Sequence, residues 1–188
     1  MARSNRRDLI LEEAVRLFRE QGYAATGIDD IGGAAGISGP GVYRHFASKQ
    51  DILAEAIRDG TDHLLTDARV ILEQSANAAE LIEALTENLV TAVVEHPNLV
   101  AVLMQEEHNL DPRARRARNK AYGVYLDDWV EVLIELRPDL SDAEARTAVH
   151  VVVGMVVAVA RYSSGVESER LARLLRNMII GALLAEHG

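Results

Sequence analysis

The chain has 188 residues, 48% of them hydrophobic, a formal net charge of −9 and no cysteine. That length allows one ordinary domain or a small head on a larger helical body, with enough apolar content for a core, while disulfides and thiolate metal sites are excluded. The opening MARSNRRD lacks the apolar stretch of a secretory signal, and the longest apolar run, Ala148 to Ala160, is broken by His150 and too short to span a bilayer, so the expectation is a soluble, cytoplasmic protein with no membrane partner.

Charge is unevenly spread. Residues 1–50 carry 7 basic and 6 acidic side chains, and the remainder carries 13 basic and 23 acidic ones. A near-neutral head with basic tips on an acidic body suits a protein that meets a polyanion at one end only.

In chain order, Arg6 to Gln21 reads as an amphipathic helix with Leu9, Ile10, Ala14, Val15, Leu17 and Phe18 on one stripe, ended by Gly22. Thr26 precedes a short segment with Ile28, Ile31, Ala34 and Ala35 at helical spacing, and Gly36 breaks it. Ser38 then caps a second short helix with Pro40 in its first turn. There Val42, Tyr43 and Phe46 can face inward while Arg44 and His45 face out. Two short helices joined by a Gly-containing turn describe a helix-turn-helix, whose second helix offers its N-terminal end to the DNA major groove. Ser48 caps the next helix, where Lys49 and free N–H groups suit a phosphate.

Gly22-Tyr23, Thr26, Ile28, Ile31, Ala35-Gly36-Ile37-Ser38, Val42-Tyr43, His45-Phe46 and Ser48-Lys49 together resemble the DNA-binding domain of the TetR family of bacterial transcriptional regulators, over roughly residues 6 to 57. Three departures stand out. Gly27 replaces a capping Ser or Thr, Gly32-Gly33 replaces an Ala and a polar residue, and Gly39 and Gly41 put no side chain at positions that often face bases. Each helical Gly costs up to about 1 kcal/mol of propensity.

Lys49 to about Gln74 reads as one long helix with Gly60 as a point of bending, and the resemblance implies that its tilt carries the regulatory signal. Helices follow from Ala79 to Glu95, from Pro97 to about His108, and from Asp111, the cap before Pro112, to Leu136. A capping box at Ser141–Glu144 opens one to about Ser164, stopped by Gly165, and Ser168 caps a last one ending near Glu186. No stretch alternates with period two. The expected fold is all-α, about nine helices, with a three-helix helix-turn-helix head over 1–48 and a helical ligand-binding and dimerisation body over 49–188.

Val149 to Ala160 is apolar all round and so must be covered on more than one side. The helices near 141–164 and 168–186 resemble the pair through which TetR-like proteins form homodimers; the plainer alternative is monomer core. His150 reads as a buried, satisfied histidine or a dimer contact rather than a ligand group.

The DNA-binding candidates are Arg6, Arg7, Thr26, Ser38, Gly39, Pro40, Gly41, Tyr43, Arg44, His45 and Lys49. Arg44 is the base-edge candidate, since an Arg can grip guanine in bidentate fashion. Arg6, Arg7, Thr26, Ser38, Tyr43, His45 and Lys49 are phosphate candidates, and Gly39 and Gly41 let backbone approach DNA. Ser38 serves equally well as a cap alone, Tyr43 as a core-edge aromatic and His45 as a surface residue. The resemblance also implies an effector chamber among the middle helices, for which Met104, His108, Tyr122, Tyr125, Trp129, Arg161 and Tyr162 are candidates, each also readable as core packing. Arg113, Arg115, Arg116, Arg118 and Lys120 crowd the start of one helix against its dipole; either neighbouring acids such as Glu106 and Glu107 pair with them, or they form the mouth of an anion site, for example for an acyl-CoA. His63, His96 and His108 lack metal spacing, and no cofactor motif or catalytic constellation appears. The sequence thus points to a non-enzymatic, ligand-responsive regulator, a repressor, that binds double-stranded palindromic operator DNA as a homodimer and is released by a small molecule. A helical small-molecule-binding protein or enzyme whose head no longer reads DNA is the alternative that the glycines motivate.

Overall fold

The structure is a computed structural model that describes the backbone of residues 2–74, 77–162 and 164–185, with side chains from Arg6 onward. Nine α-helices and a short 3-10 turn make up the described residues, without a strand: α1 Ala2–Gln21, α2 Ile28–Ala34, α3 Gly39–Val42, α4 Lys49–Gln74, α5 Ala78–Glu95, α6 Pro97–Glu106, α7 Pro112–Leu136, α8 Asp142–Val159 and α9 Ser168–Leu184. The chain divides into two compact units, one formed by residues up to Thr61 with Asn98–Arg118, the other by Asp62–Pro97 with residues from Asn119 onward. The expected boundary at 48/49 marks the start of α4, whereas the packing division falls within that helix.

The first unit is built on α1. Ile10, Ala14, Leu17 and Phe18 recur one and two turns apart, and they bury against Ile31 of α2, Val42 of α3, Phe46, and Ile52, Leu53 and Ile57 of α4. Val102 of α6 and Leu110 join the same core. Each fully buried large apolar side chain contributes about 1.5–3 kcal/mol, so this small unit depends on all these contacts. The turn between α2 and α3 needs Gly36, at φ +69°, and is closed by Ile37 N–H donating to Gly32 O at 2.8 Å. Gly32 is itself a point of close approach: a Cβ there would stand 3.0 Å from Ile37 O and 3.1 Å from Gly39 N. The Gly27 departure is compensated by Asp30, whose carboxylate accepts from Gly27 N–H at 2.8 Å.

In the second unit, α5 and α8 both pack on α9 and on each other. α5 buries Ile82, Leu85, Leu89, Val90 and Val93, α8 buries Val149, Val152, Val153 and Val156, and α9 buries Leu175, Ile179 and Leu183. Arg137, buried after α7, grips Asp139 at 2.8 and 2.6 Å and donates to the Leu183 and Ala185 carbonyls. It thereby satisfies the last turn of α9, whose carbonyls lack helical partners. The capping box forms as read: Ser141 N–H donates to Glu144 Oε2 at 2.8 Å and Glu144 N–H to Ser141 Oγ at 3.4 Å.

Three expectations are corrected. α8 stops at Val159 instead of about Ser164, because the amides of Ala160, Arg161 and Tyr162 turn to the carbonyls three residues back, which tightens and ends the helix before Gly165 at φ +64°. α6 likewise gives way to a 3-10 turn over Glu107–Asn109 before reaching His108 as α-helix. His150 is exposed in the protomer, against the buried-histidine reading. Arg3, Ser163 and Glu186 lie outside the residues whose side chains are described. No described helix is long and apolar enough to cross a membrane.

Candidate functional site

The second helix of the helix-turn-helix is only four residues long, Gly39–Val42, and continues as a tight turn through His45, whose N–H donates to Val42 O at 2.8 Å. Ser38 caps it, its Oγ accepting from Gly41 N–H at 3.3 Å. Val42 and Phe46 anchor this segment in the core, so the residues between them turn outward. Tyr43 is 57% exposed, against the expectation that it faces inward, and Ser38, Pro40 and Arg44 are exposed beside it. Gly41 and His45 are half-buried and Gly39 is buried. A hydroxyl, a phenol and a guanidinium are thus presented on one short rigid segment.

The other candidates lie elsewhere. Lys49 Nζ donates to the carbonyls of Tyr23 at 2.6 Å and Thr26 at 2.7 Å, and stands 4.4 Å over the Tyr23 ring. Thr26 is buried, and its hydroxyl donates to Gly22 O at 2.9 Å. Lys49 and Thr26 therefore fix the turn between α1 and α2. Arg6 donates to Ala35 O at 2.9 Å, at the α2–α3 turn. Arg7 makes a bidentate pair with Glu55 of α4 at 2.6 and 2.5 Å, donates to His45 O, and stacks 4.2 Å over Phe46. The Glu55 hydrogen bonds raise the Arg7 pKa above its ordinary value, so its charge is permanent. Arg7 holds α1, the end of the exposed turn, and α4 together. Glu55 was missed by sequence reading: an acid in an α4 turn looks like any solvated charge until its partner is known.

The effector candidates split between units. Met104 and His108, both exposed, belong to the first. In the second, Tyr122, Tyr125 and Trp129 form a run of rings along α7, with centroids 6.0 Å and 6.2 Å apart. Tyr125 is 1% exposed and Trp129 0%. Burial pushes the Tyr125 hydroxyl pKa far up. A side-chain interaction with the neighbouring Trp129 indole offsets a little of that. Arg161 and Tyr162 are exposed beyond the end of α8. In the basic cluster, Arg118 pairs with Glu107 at 2.6 Å, while Arg113, Arg115, Arg116 and Lys120 are exposed.

A family model described as bacterial regulatory proteins, tetR family, matches residues 10–56. The repressor KstR2 of Mycobacterium tuberculosis is 32% identical over 151 residues, 73% of this chain and 72% of that one. The chain belongs to the TetR family of bacterial transcriptional regulators. It is a DNA-binding regulator with the helix-turn-helix head of that family, and the matched stretch contains α2, α3 and the exposed turn. The solved KstR2 structure superposes with a TM-score of 0.82 at 26% identity, covering 96% of this chain and 95% of that one. A second TetR-like neighbour in fold, AibR, solved with isovaleryl coenzyme A and operator DNA, gives a TM-score of 0.77 at 21% identity over 92% and 97% of the two chains.

Proposed function

We propose that the protein is a repressor that binds a palindromic operator as a homodimer and is released by a small-molecule effector, without enzymatic activity. The observation that carries the reading is the Ser38–His45 segment, held rigid by buried Val42 and Phe46 and presenting Ser38, Tyr43 and Arg44 outward in a head of the TetR family. In this reading Arg44 contacts a base edge in the major groove, and Ser38, Tyr43 and His45 contact phosphates. Gly39, Pro40 and Gly41 let the backbone come close. Lys49 uses two donors internally and keeps a third for phosphate. Arg6, Arg7 and Thr26 act indirectly by bracing the reading segment.

Dimer formation is supported by one continuous face. Thr147, His150, Val151, Gly154 and Ala158 of α8 and Leu174, Asn177, Met178 and Gly181 of α9 are exposed, with Val151 at 61%. A Cβ at Gly154 or Gly181 would meet nothing within 4 Å, so a second copy can approach closely there. Two heads would then read half-sites about one helical turn apart, or a multiple of it. Effector control is supported by the AibR complex and by the buried rings of α7. Ligand coupling of this kind is worth about 1–3 kcal/mol. The glycines that motivated a head unable to read DNA do not break it: Gly32 fits a tight contact and Gly27 has Asp30 as a substitute cap.

The test is a band shift on DNA upstream of the protein's own gene. We expect salt-sensitive binding and, for Arg44→Ala, a loss of about 1–3 kcal/mol concentrated at one base pair. Absence of salt-sensitive binding to any promoter fragment would sink the reading.

A further inference from the structure

Two acids stand in the first turn of α2, and they serve different neighbours. Asp30 turns back: its carboxylate accepts from Gly27 N–H at 2.8 Å and replaces the cap that a glycine side chain cannot supply. Asp29 lies against α3. A Cβ built on Gly39, the first residue of α3, would overlap Asp29 Oδ1, stand 3.1 Å from Asp29 Cγ and 3.8 Å from Asp29 Cα. All three of these nearest atoms belong to Asp29. The carboxylate therefore occupies the space that a side chain at position 39 would fill. Gly39 is buried, although Ser38 and Pro40 on either side of it are exposed, and Asp29 is itself exposed.

In a helix-turn-helix, residues at the start of the second helix face base edges in the major groove. Here that start has glycine at 39 and 41, and a carboxylate from α2 stands where the side chain of residue 39 is missing. What DNA meets at this corner is an acceptor-only group as well as backbone. A first-turn acid favours its own helix whichever way it points, so that role does not account for the contact with Gly39. From the sequence Asp29 and Asp30 look alike; only the packing of α2 on α3 separates them.

The chemistry limits what this carboxylate can meet. Phosphate repels it. In the major groove guanine offers two acceptors, and thymine an acceptor and a methyl group. Cytosine N4 and adenine N6 donate, but adenine sets its N7 acceptor beside N6, so an acidic side chain suits cytosine.

We propose that Asp29 is a specificity-determining residue: its carboxylate, lying over Gly39, accepts a hydrogen bond from the amino group of an operator cytosine. This rests on the reading in which α3 enters the major groove, and it adds a base preference to that reading.

The test selects bound duplexes from a pool randomised in its central segment, using the full-length protein and its Asp29→Asn, Asp29→Ala and Gly39→Ala variants. Affinities are then measured on the selected site and on versions with one base pair changed. We expect the unaltered protein to prefer cytosine about tenfold at one position of each half-site, the size of one hydrogen bond to a charged group. Asp29→Ala should erase that preference at that position alone. Asp29→Asn should move it to adenine, which an amide can grip through N6 and N7. Gly39→Ala should displace the carboxylate and erase the same preference, with no further effect on specificity once Asp29 is alanine. Asp29→Ala should also bind unrelated duplexes more tightly, because a like charge is removed from the phosphates. A residue that only supports the scaffold would weaken all duplexes alike. Uniform loss of affinity in Asp29→Ala, an unchanged cytosine preference, or additive specificity effects of Asp29→Ala and Gly39→Ala would overturn the proposal. The two readings fail differently. If the unaltered protein selects no duplex, operator binding itself is lost; if it selects a palindrome whose preferences survive Asp29→Ala, only the role of Asp29 is lost.

Discussion

Gly32 and Gly33 are neighbours in α2 with opposite surroundings. A Cβ on Gly33 would meet nothing within 4 Å, whereas one on Gly32 would press on the backbone of Ile37, Ser38 and Gly39. Gly33→Ala is expected to stabilise the protein by up to about 1 kcal/mol through helix propensity. Gly32→Ala is expected to destabilise it, because a backbone contact cannot rotate away. Urea melts of the two variants measure this, and equal shifts would show that propensity alone governs the site. From the sequence both residues were the same departure from a family pattern; only tertiary packing separates them. Lys49 teaches a similar lesson. A lysine at a helix start reads as a phosphate ligand, but two carbonyls of the preceding turn lie within its reach, and nothing in local spacing reveals them.

Among the elements, α4 holds the head through side chains that reach backward along the chain. Its Lys49 secures the turn before α2, and its Glu55, through Arg7, secures the end of the reading segment. A double-mutant cycle of Arg7→Ala and Glu55→Ala should yield a coupling energy of about 0.5–3 kcal/mol, with parallel losses in operator affinity. Additive effects would mean that the bidentate pair contributes nothing. Helix starts were among the more legible features, since Ser38, Ser48, Asp111 and Ser141 all act through side-chain oxygens close in sequence, but Asn77 went unread as a cap and α9 is capped by the carboxylate of Glu167, which accepts from the amides of Glu169 and Arg170, rather than by the expected Ser168. Helix ends were less so: α8 stops where its carbonyls change partner, and no breaker residue stands at Ala160. Two of the caps are acid-sensitive. The Asp111 carboxylate is held below its ordinary pKa by the amides of Ala114 and Arg113, and that of Glu144 by Ser141. A lowered folded-state pKa adds stability above the unfolded value, and that stability disappears as pH falls through the folded one. Melting temperature should therefore drop as pH falls below the ordinary carboxylate range, and less so in Asp111→Asn with Glu144→Gln. An identical acid response in that double variant would show the caps to be irrelevant.

For the whole molecule, composition and periodicity gave the all-helical class and the motif gave the family, because both are written in short-range spacing. The proposed effector candidates were only half legible. Trp129 and Tyr125 stand out as rare large residues, but that both are buried while Met104 and His108 are exposed emerges only from packing. The pairing of two copies is a statement about surfaces, and it can be tested directly. Val151→Asp or Leu174→Glu, placed on the exposed α8 and α9 face, should shift sedimentation from dimer to monomer while leaving helical content intact. A dimer that survives both changes would place the contact elsewhere.

That apolar face also bears on dosage. In the proposed dimer, a protomer with Val151, Leu174 and Met178 uncovered supplies half of the reader, and a two-fold operator would be gripped well only by the pair. Where protomers are scarce enough to separate, occupancy rises with the square of their number rather than in proportion. A gene controlled in this way would change state over a narrow range of protein abundance, a threshold that would arise from exposed side chains on two helices distant in sequence from the residues proposed to touch DNA.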